Sequence, residues 1–121
     1  MQVLKKEPGD RLNFFPYYED LLKRRLKTKT IRLGDESWKY KKGQVLNLTC
    51  GWNESQSLAL GRVMITGVWV APISSLKDSD LDGESPDCLT TKAVPYVLSA
   101  IYRQIVSPKD TITMLQWAFV D

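Results

Sequence analysis

Apolar and polar positions along this chain follow two periods, and together they predict a mixed domain. Residues 18–26 (YEDLLKRRL) place Tyr18, Leu21, Leu22 and Leu26 at near-helical spacing. Glu19 and Asp20 stand early and Lys23, Arg24 and Arg25 late, the polarity a helix macrodipole favours. A short amphipathic helix is expected there. A second helix is expected over residues 94–105, where Val94, Val97, Leu98, Ile101, Tyr102 and Ile105 share one stripe. Pro95 suits its first turn, and Ser107-Pro108 ends it.

The remaining apolar runs are β-type. Residues 28–33 (TKTIRL) are rich in β-branched side chains and close at Gly34-Asp35, a turn signal. Residues 44–49 (QVLNLT) and 111–120 (TITMLQWAFV) read as further strands. Residues 58–71 (LALGRVMITGVWVA) form a long run stopped by Pro72, and Gly61 and Gly67 inside it mark bulges or a bend. No repeat or linker divides the chain, so residues 1–121 read as a single α+β domain, a small, partly closed β-barrel with flanking helices.

Composition changes this picture mainly by exclusion. The 121 residues contain no histidine, which removes Ser-His-Asp and Cys-His catalysis, imidazole general bases and histidine metal sites. Chemistry must run on Lys, Asp, Glu, Thr, Ser, Tyr or Cys. Cys50 and Cys88 lack CxxC spacing and read as unremarkable thiols in a reducing cytoplasm, so a cytoplasmic location is expected. No signal-peptide pattern or membrane-length apolar segment is present, and no membrane association is expected.

The formal net charge of +3 is unevenly spread. Residues 1–42 carry 12 Lys or Arg against six Asp or Glu, whereas residues 43–121 carry five against eight. A basic first third suggests an anionic partner, with nucleic acid or nucleotide foremost. The cations Lys23, Arg24, Arg25, Lys27, Lys29 and Arg32, followed by Trp38, Lys39, Tyr40, Lys41 and Lys42, interleave charge with aromatic rings. Such a surface can hold phosphates and stack bases. The same charges also suit a solvated helix end and an edge strand. The acidic stretch Asp78, Asp80, Asp82, Gly83 opens like a calcium loop, but its twelfth position is Leu89 and Pro86 interrupts it. No metal or cofactor is expected.

Strand parity sharpens the basic run. Thr28, Thr30 and Arg32 share one face of an extended segment, and Lys29 and Ile31 the other. Lys27 precedes the strand, outside this alternation, and can converge on Thr30. A lysine beside a threonine hydroxyl is a possible base and nucleophile, provided burial or a neighbouring cation such as Arg32 lowers the amine pKa. A carboxylate would complete the set, and the acidic loop offers several.

In order along the chain, the run 27–32 (KTKTIR), residues 38–46 (WKYKKGQVL), residues 61–68 (GRVMITGV), residues 82–85 (DGES), Leu98 and Tyr102, and the closing Thr-Ile-Thr strand resemble the ASCH domain family, a small barrel related to the PUA fold. The resemblance implies binding of RNA or a nucleoside or nucleotide in a cleft between barrel and helices. One branch of the family is similar to N4-acetylcytidine amidohydrolases, which implies a catalytic Lys27, Thr30 and Glu84 supported by Arg32. The resemblance, not the spacing, selects Glu84 among the loop carboxylates. That branch commonly has a glycine shortly before the lysine, where this chain has Arg24, Arg25 and Leu26. Some members are thought to cleave RNA, which leaves ribonuclease activity as a weaker alternative.

The expected site therefore comprises Lys27, Thr30 and Glu84 as catalytic residues, with Arg32, Lys29, Arg24, Arg25, Trp38 and Tyr40 contacting RNA or substrate. A monomer or weak dimer is expected. The rival reading is structural: Arg32 pairs with Glu84 and pins the loop to the strand.

Overall fold

The computed structural model describes residues 10–53 and 56–120. Five strands form one sheet: β1 (Arg11–Phe14), β2 (Lys29–Leu33), β3 (Val45–Cys50), β4 (Leu58–Pro72) and β5 (Thr111–Phe119). Their spatial order is β1-β3-β4-β5-β2, with β1 parallel to β3 and the other pairs antiparallel. Two helices accompany the sheet, α1 (Glu19–Lys23) and α2 (Val94–Tyr102).

The expected curl of the long strand is present, and its glycines mark where it happens. The β3–β4 register shifts beside Gly61, and the β4–β5 register shifts between Ile65 and Gly67. Gly61 has φ +130°, a conformation that side chains disfavour, and a Cβ on Gly67 would lie 2.2 Å from the Trp69 ring. Bending at these points brings the two edge strands, β1 and β2, towards one another. Arg32 of β2 spans the gap, donating from Nη2 to the Asn13 carbonyl of β1 at 2.9 Å. The result is a partly closed barrel.

Alternation along β2 and β5 feeds two apolar cores. Leu115 and Trp117 point into the curl with Leu12, Phe14, Tyr40, Leu48, Val63 and Ile65. Ile31, Ile112 and Met114 face the other way, against Leu81, Val94 and Leu98 from α2 and the turns before it. Both faces of this part of the sheet are covered, so it is enclosed without a second sheet. Among the described residues, no helix is long and apolar enough to cross a membrane.

Three expectations are corrected. The first helix ends at Lys23 rather than residue 26 and is preceded by a 3-10 turn, Pro16–Tyr18. The second ends at Tyr102 rather than residue 105, because Arg103 adopts a left-handed conformation (φ 55°). Strand β1, absent from the expected element list, forms one edge of the sheet. Two carboxylates of the acidic stretch serve as local caps: Asp80 accepts from the Lys77 backbone N–H and Asp78 from that of Thr91.

Candidate active site

Lys27 reaches its place through the turn that ends α1. Leu26 donates its backbone N–H to the Leu21 carbonyl, Arg25 donates to that of Leu22, and Arg25 is left-handed at φ 59°. This is a Schellman termination, normally built on glycine. It reverses the chain so that Lys27 points inward while Arg24, Arg25 and Leu26 remain exposed. The loop carrying Glu84 is pinned alongside. Gly83, at φ +97°, offers its carbonyl to the backbone N–H groups of Thr28 at 2.8 Å and Lys29 at 3.1 Å.

These two constructions bring Lys27 and Glu84 together in the interior, where both are buried. Lys27 Nζ donates to Glu84 Oε1 and, at 2.9 Å, to the Lys29 carbonyl. The same Oε1 accepts the backbone N–H of Ser85 at 2.8 Å; the Ser85 hydroxyl lies 3.2 Å from it but donates to Asp87 Oδ1 at the shorter 2.7 Å. The donors to Glu84 all approach one carboxylate oxygen, Oε1. The Lys27 ammonium also lies 5.4 Å from the Phe14 ring centre and 5.1 Å from that of Tyr18.

Burial is the largest influence on Lys27 and lowers its pKa, against the opposing pull of Glu84. Cys88, on the same wall, is driven the other way: burial and then Glu84 push its thiol up to about 12. It therefore stays protonated at neutral pH and is a poor nucleophile there. Burial and then Asp87 raise the Tyr18 phenol, which donates to Asp87 at 3.4 Å.

Lys27, Thr30, Arg32 and Glu84 line a single cavity of about 290 Å³. Its other walls come from Asn13, Phe14 and Phe15, from Ser85 and Cys88, and from the α2 residues Val97, Leu98 and Ile101. Sequence parity correctly put Thr30 and Arg32 on one face. The Arg32–Glu84 ion pair of the structural reading does not form, because Glu84 is taken by Lys27 and Arg32 lies 5.0 Å over Phe14.

The other expected contact residues are not at this cavity. Tyr40 is a correction, since it is 2% exposed in the barrel core and cannot stack a base. Trp38 is exposed in the turn after β2, and Lys29 reaches away to the Asp80 carbonyl at 2.6 Å. Arg24 pairs with Asp20 on the helix surface, and Arg25 lies over Phe119. Charge and aromatic interleaving revealed which residues were polar or planar, but not which side of the sheet each would occupy. Sequence reasoning missed Phe14 and Asn13, which entered with the unexpected β1, and Ser85, whose adjacency to Glu84 was the available clue.

No family model matches the chain, and no curated protein matches it in sequence. Solved structures do match. A protein from Enterococcus faecalis assigned to family DUF984 aligns with a TM-score of 0.63 at 20% identity, covering 87% of this chain and 71% of that one. An ASCH domain from Lactobacillus crispatus aligns with a TM-score of 0.63 at 13% identity, covering 84% of this chain and 69% of that one. Architecture, strand curl and these similarities agree: the chain has the fold of the ASCH domains.

Proposed function

We propose that this protein binds a nucleoside-sized ligand in the cavity and hydrolyses an amide on it, the class of reaction exemplified by removal of the acetyl group from N4-acetylcytidine. The observation that carries this reading is the buried Lys27–Glu84 pair in the wall of a cavity that Thr30 also lines. Its volume, about 290 Å³, is at the small end of ligand pockets, roughly 300–1,000 Å³, and suits one ring system better than a strand.

The pair can exist with its proton on either partner, and desolvation favours the neutral arrangement. A neutral Lys27 amine spends its two N–H groups on the Lys29 carbonyl and Glu84 Oε1, which turns its lone pair to the cavity. The proton then resides on Glu84 Oε2. Thr30 Oγ attacks the amide carbonyl, its proton passes to Lys27, and the Oε2 proton goes to the departing nitrogen. This leaves an ester on Thr30, a lysine ammonium and a carboxylate. Water attacks the ester, gives one proton to Glu84 and forms the free acid, while Lys27 returns its proton to Thr30.

Thr30→Ala is expected to reduce N4-acetylcytidine deacetylation by at least about 10²-fold, with Thr30→Ser retaining part of the rate. The active pair carries a single shared proton, so the wild-type rate should fall at alkaline pH once that proton is lost. Unchanged turnover in Thr30→Ala rules out this mechanism. A second reading, RNA binding without hydrolysis, is favoured by Phe15, which lines the cavity and lies 5.9 Å from the exposed ring of Trp52. Salt-dependent binding of single-stranded RNA with no deacetylation in the same preparation selects it.

A further inference from the structure

The lining of the cavity contains two cations and one carboxylate: Lys27, Arg32 and Glu84. Lys27 and Glu84 neutralise one another. Arg32 therefore gives this wall a net positive charge, in surroundings made largely of Phe14, Val97, Leu98 and Ile101. Among the described residues Arg32 has no carboxylate within ion-pair distance. Its recorded contacts are one N–H to the Asn13 carbonyl and the Phe14 ring. A guanidinium has five N–H donors, so most of its fork is uncommitted. Of the other acidic side chains, Asp87 is occupied by the Ser85 and Tyr18 hydroxyls and lines the adjoining shallow pocket, while Glu36, held against Thr113 opposite Arg32, lies outside this lining and forms no ion pair with Arg32.

A cation held at the edge of an apolar cavity costs desolvation energy unless an anion joins it. We propose that Arg32 binds a phosphate monoester on the ligand, so the cavity takes a nucleoside monophosphate in preference to the free nucleoside. The planar fork matches phosphate oxygens in a bidentate way that an ammonium cannot reproduce. Arg32 lies one alternation along β2 from Thr30, so an anion on it places the rest of the ligand toward Thr30 and Lys27. This inference rests on the nucleoside-pocket reading and refines its substrate class.

The test is calorimetric titration of cytidine and cytidine 5′-monophosphate into the wild-type protein, Arg32→Gln and Arg32→Lys, at matched low ionic strength. The monophosphate should bind at least about tenfold more tightly than the nucleoside to the wild type. Arg32→Gln should abolish that preference, and Arg32→Lys should retain part of it. Equal affinities in the wild type, or a preference that survives Arg32→Gln, overturns the proposal. A structural staple between β1 and β2 would instead lower stability in Arg32→Gln without altering the preference. Should Arg32→Gln fail to fold, the wild-type comparison and Arg32→Lys decide. If neither cytidine compound binds, the nucleoside reading itself fails, and inorganic phosphate becomes the probe. A rise in the wild-type melting midpoint with phosphate over chloride, reduced in Arg32→Lys, supports the anion site; no rise overturns it.

Discussion

At the scale of single residues, the Lys27–Glu84 pair is both the chemical centre and a stability risk. Both side chains are buried, and each carries the other's charge compensation. Removing one partner leaves an uncompensated buried charge, whereas replacing both with apolar groups of similar volume is often nearly neutral. Lys27→Met and Glu84→Leu are therefore each expected to cost about 3–5 kcal/mol, with the double variant recovering most of that loss. Urea denaturation of the four proteins measures the cycle; additive losses would mean that the pair is not coupled. Much of this site was legible from sequence. Strand parity joined Thr30 to Arg32, and placement before the strand freed Lys27 to converge on them. Glu84 was not legible from spacing, because four loop carboxylates offer the same chemistry and only the fold distinguishes them. Tyr40 was misplaced for a related reason: its aromatic and basic neighbours describe a surface, but its own ring fills the barrel core.

At the scale of elements, two tight turns position the pair. One is the Schellman end of α1; the other is the loop whose Gly83 carbonyl takes both the Thr28 and Lys29 N–H groups. Gly83 cannot readily carry a side chain, since its φ is +97° and a Cβ would come within 2.6 Å of Thr28 Oγ1. Gly83→Ala is expected to destabilise the protein by about 1–3 kcal/mol and to weaken ligand binding by displacing Glu84. Thermal unfolding together with ligand titration checks both, and an alanine variant with wild-type stability would contradict the strain argument. The same turns explain which boundaries sequence reading missed. Both helices end on a left-handed arginine, Arg25 and Arg103, rather than on the glycine that usually announces such a stop. Strand β1 is four residues long and is held through parallel pairing with β3, a contact between segments far apart in sequence. The long β4 was readable because Gly61 and Gly67 interrupt it where the ladder shifts.

At the scale of the whole molecule, the uneven charge becomes an internal complementarity, since Lys27 of the basic first third is held by Glu84 of the acidic remainder. The absence of histidine also shapes how stability depends on pH. No side chain has an ordinary pKa between 6 and 8. The native state disfavours protonated Lys27, so above the pH at which the pair gives up its shared proton and below the ordinary 10.5, unfolding takes up a proton. Stability therefore rises with pH across that window. Cys50, Cys88, Tyr18 and Tyr40 act in the opposite direction, because burial holds their protons in the native state after the unfolded chain has lost them. For Cys88 the window runs from 9.0 to about 12, and within it each pH unit removes about 1.4 kcal/mol. The thiols oppose Lys27 only from about pH 9 and the tyrosines join them from about 10, so stability should be flat or gently rising to about pH 9 and should fall clearly above pH 10. Melting midpoints measured from pH 6 to 11 test this. Lys27→Met should flatten any upward slope, and Cys88→Ser should soften the alkaline fall. A midpoint that keeps climbing above pH 10 would mean that the two cysteines and the two tyrosines are not held protonated in the native interior.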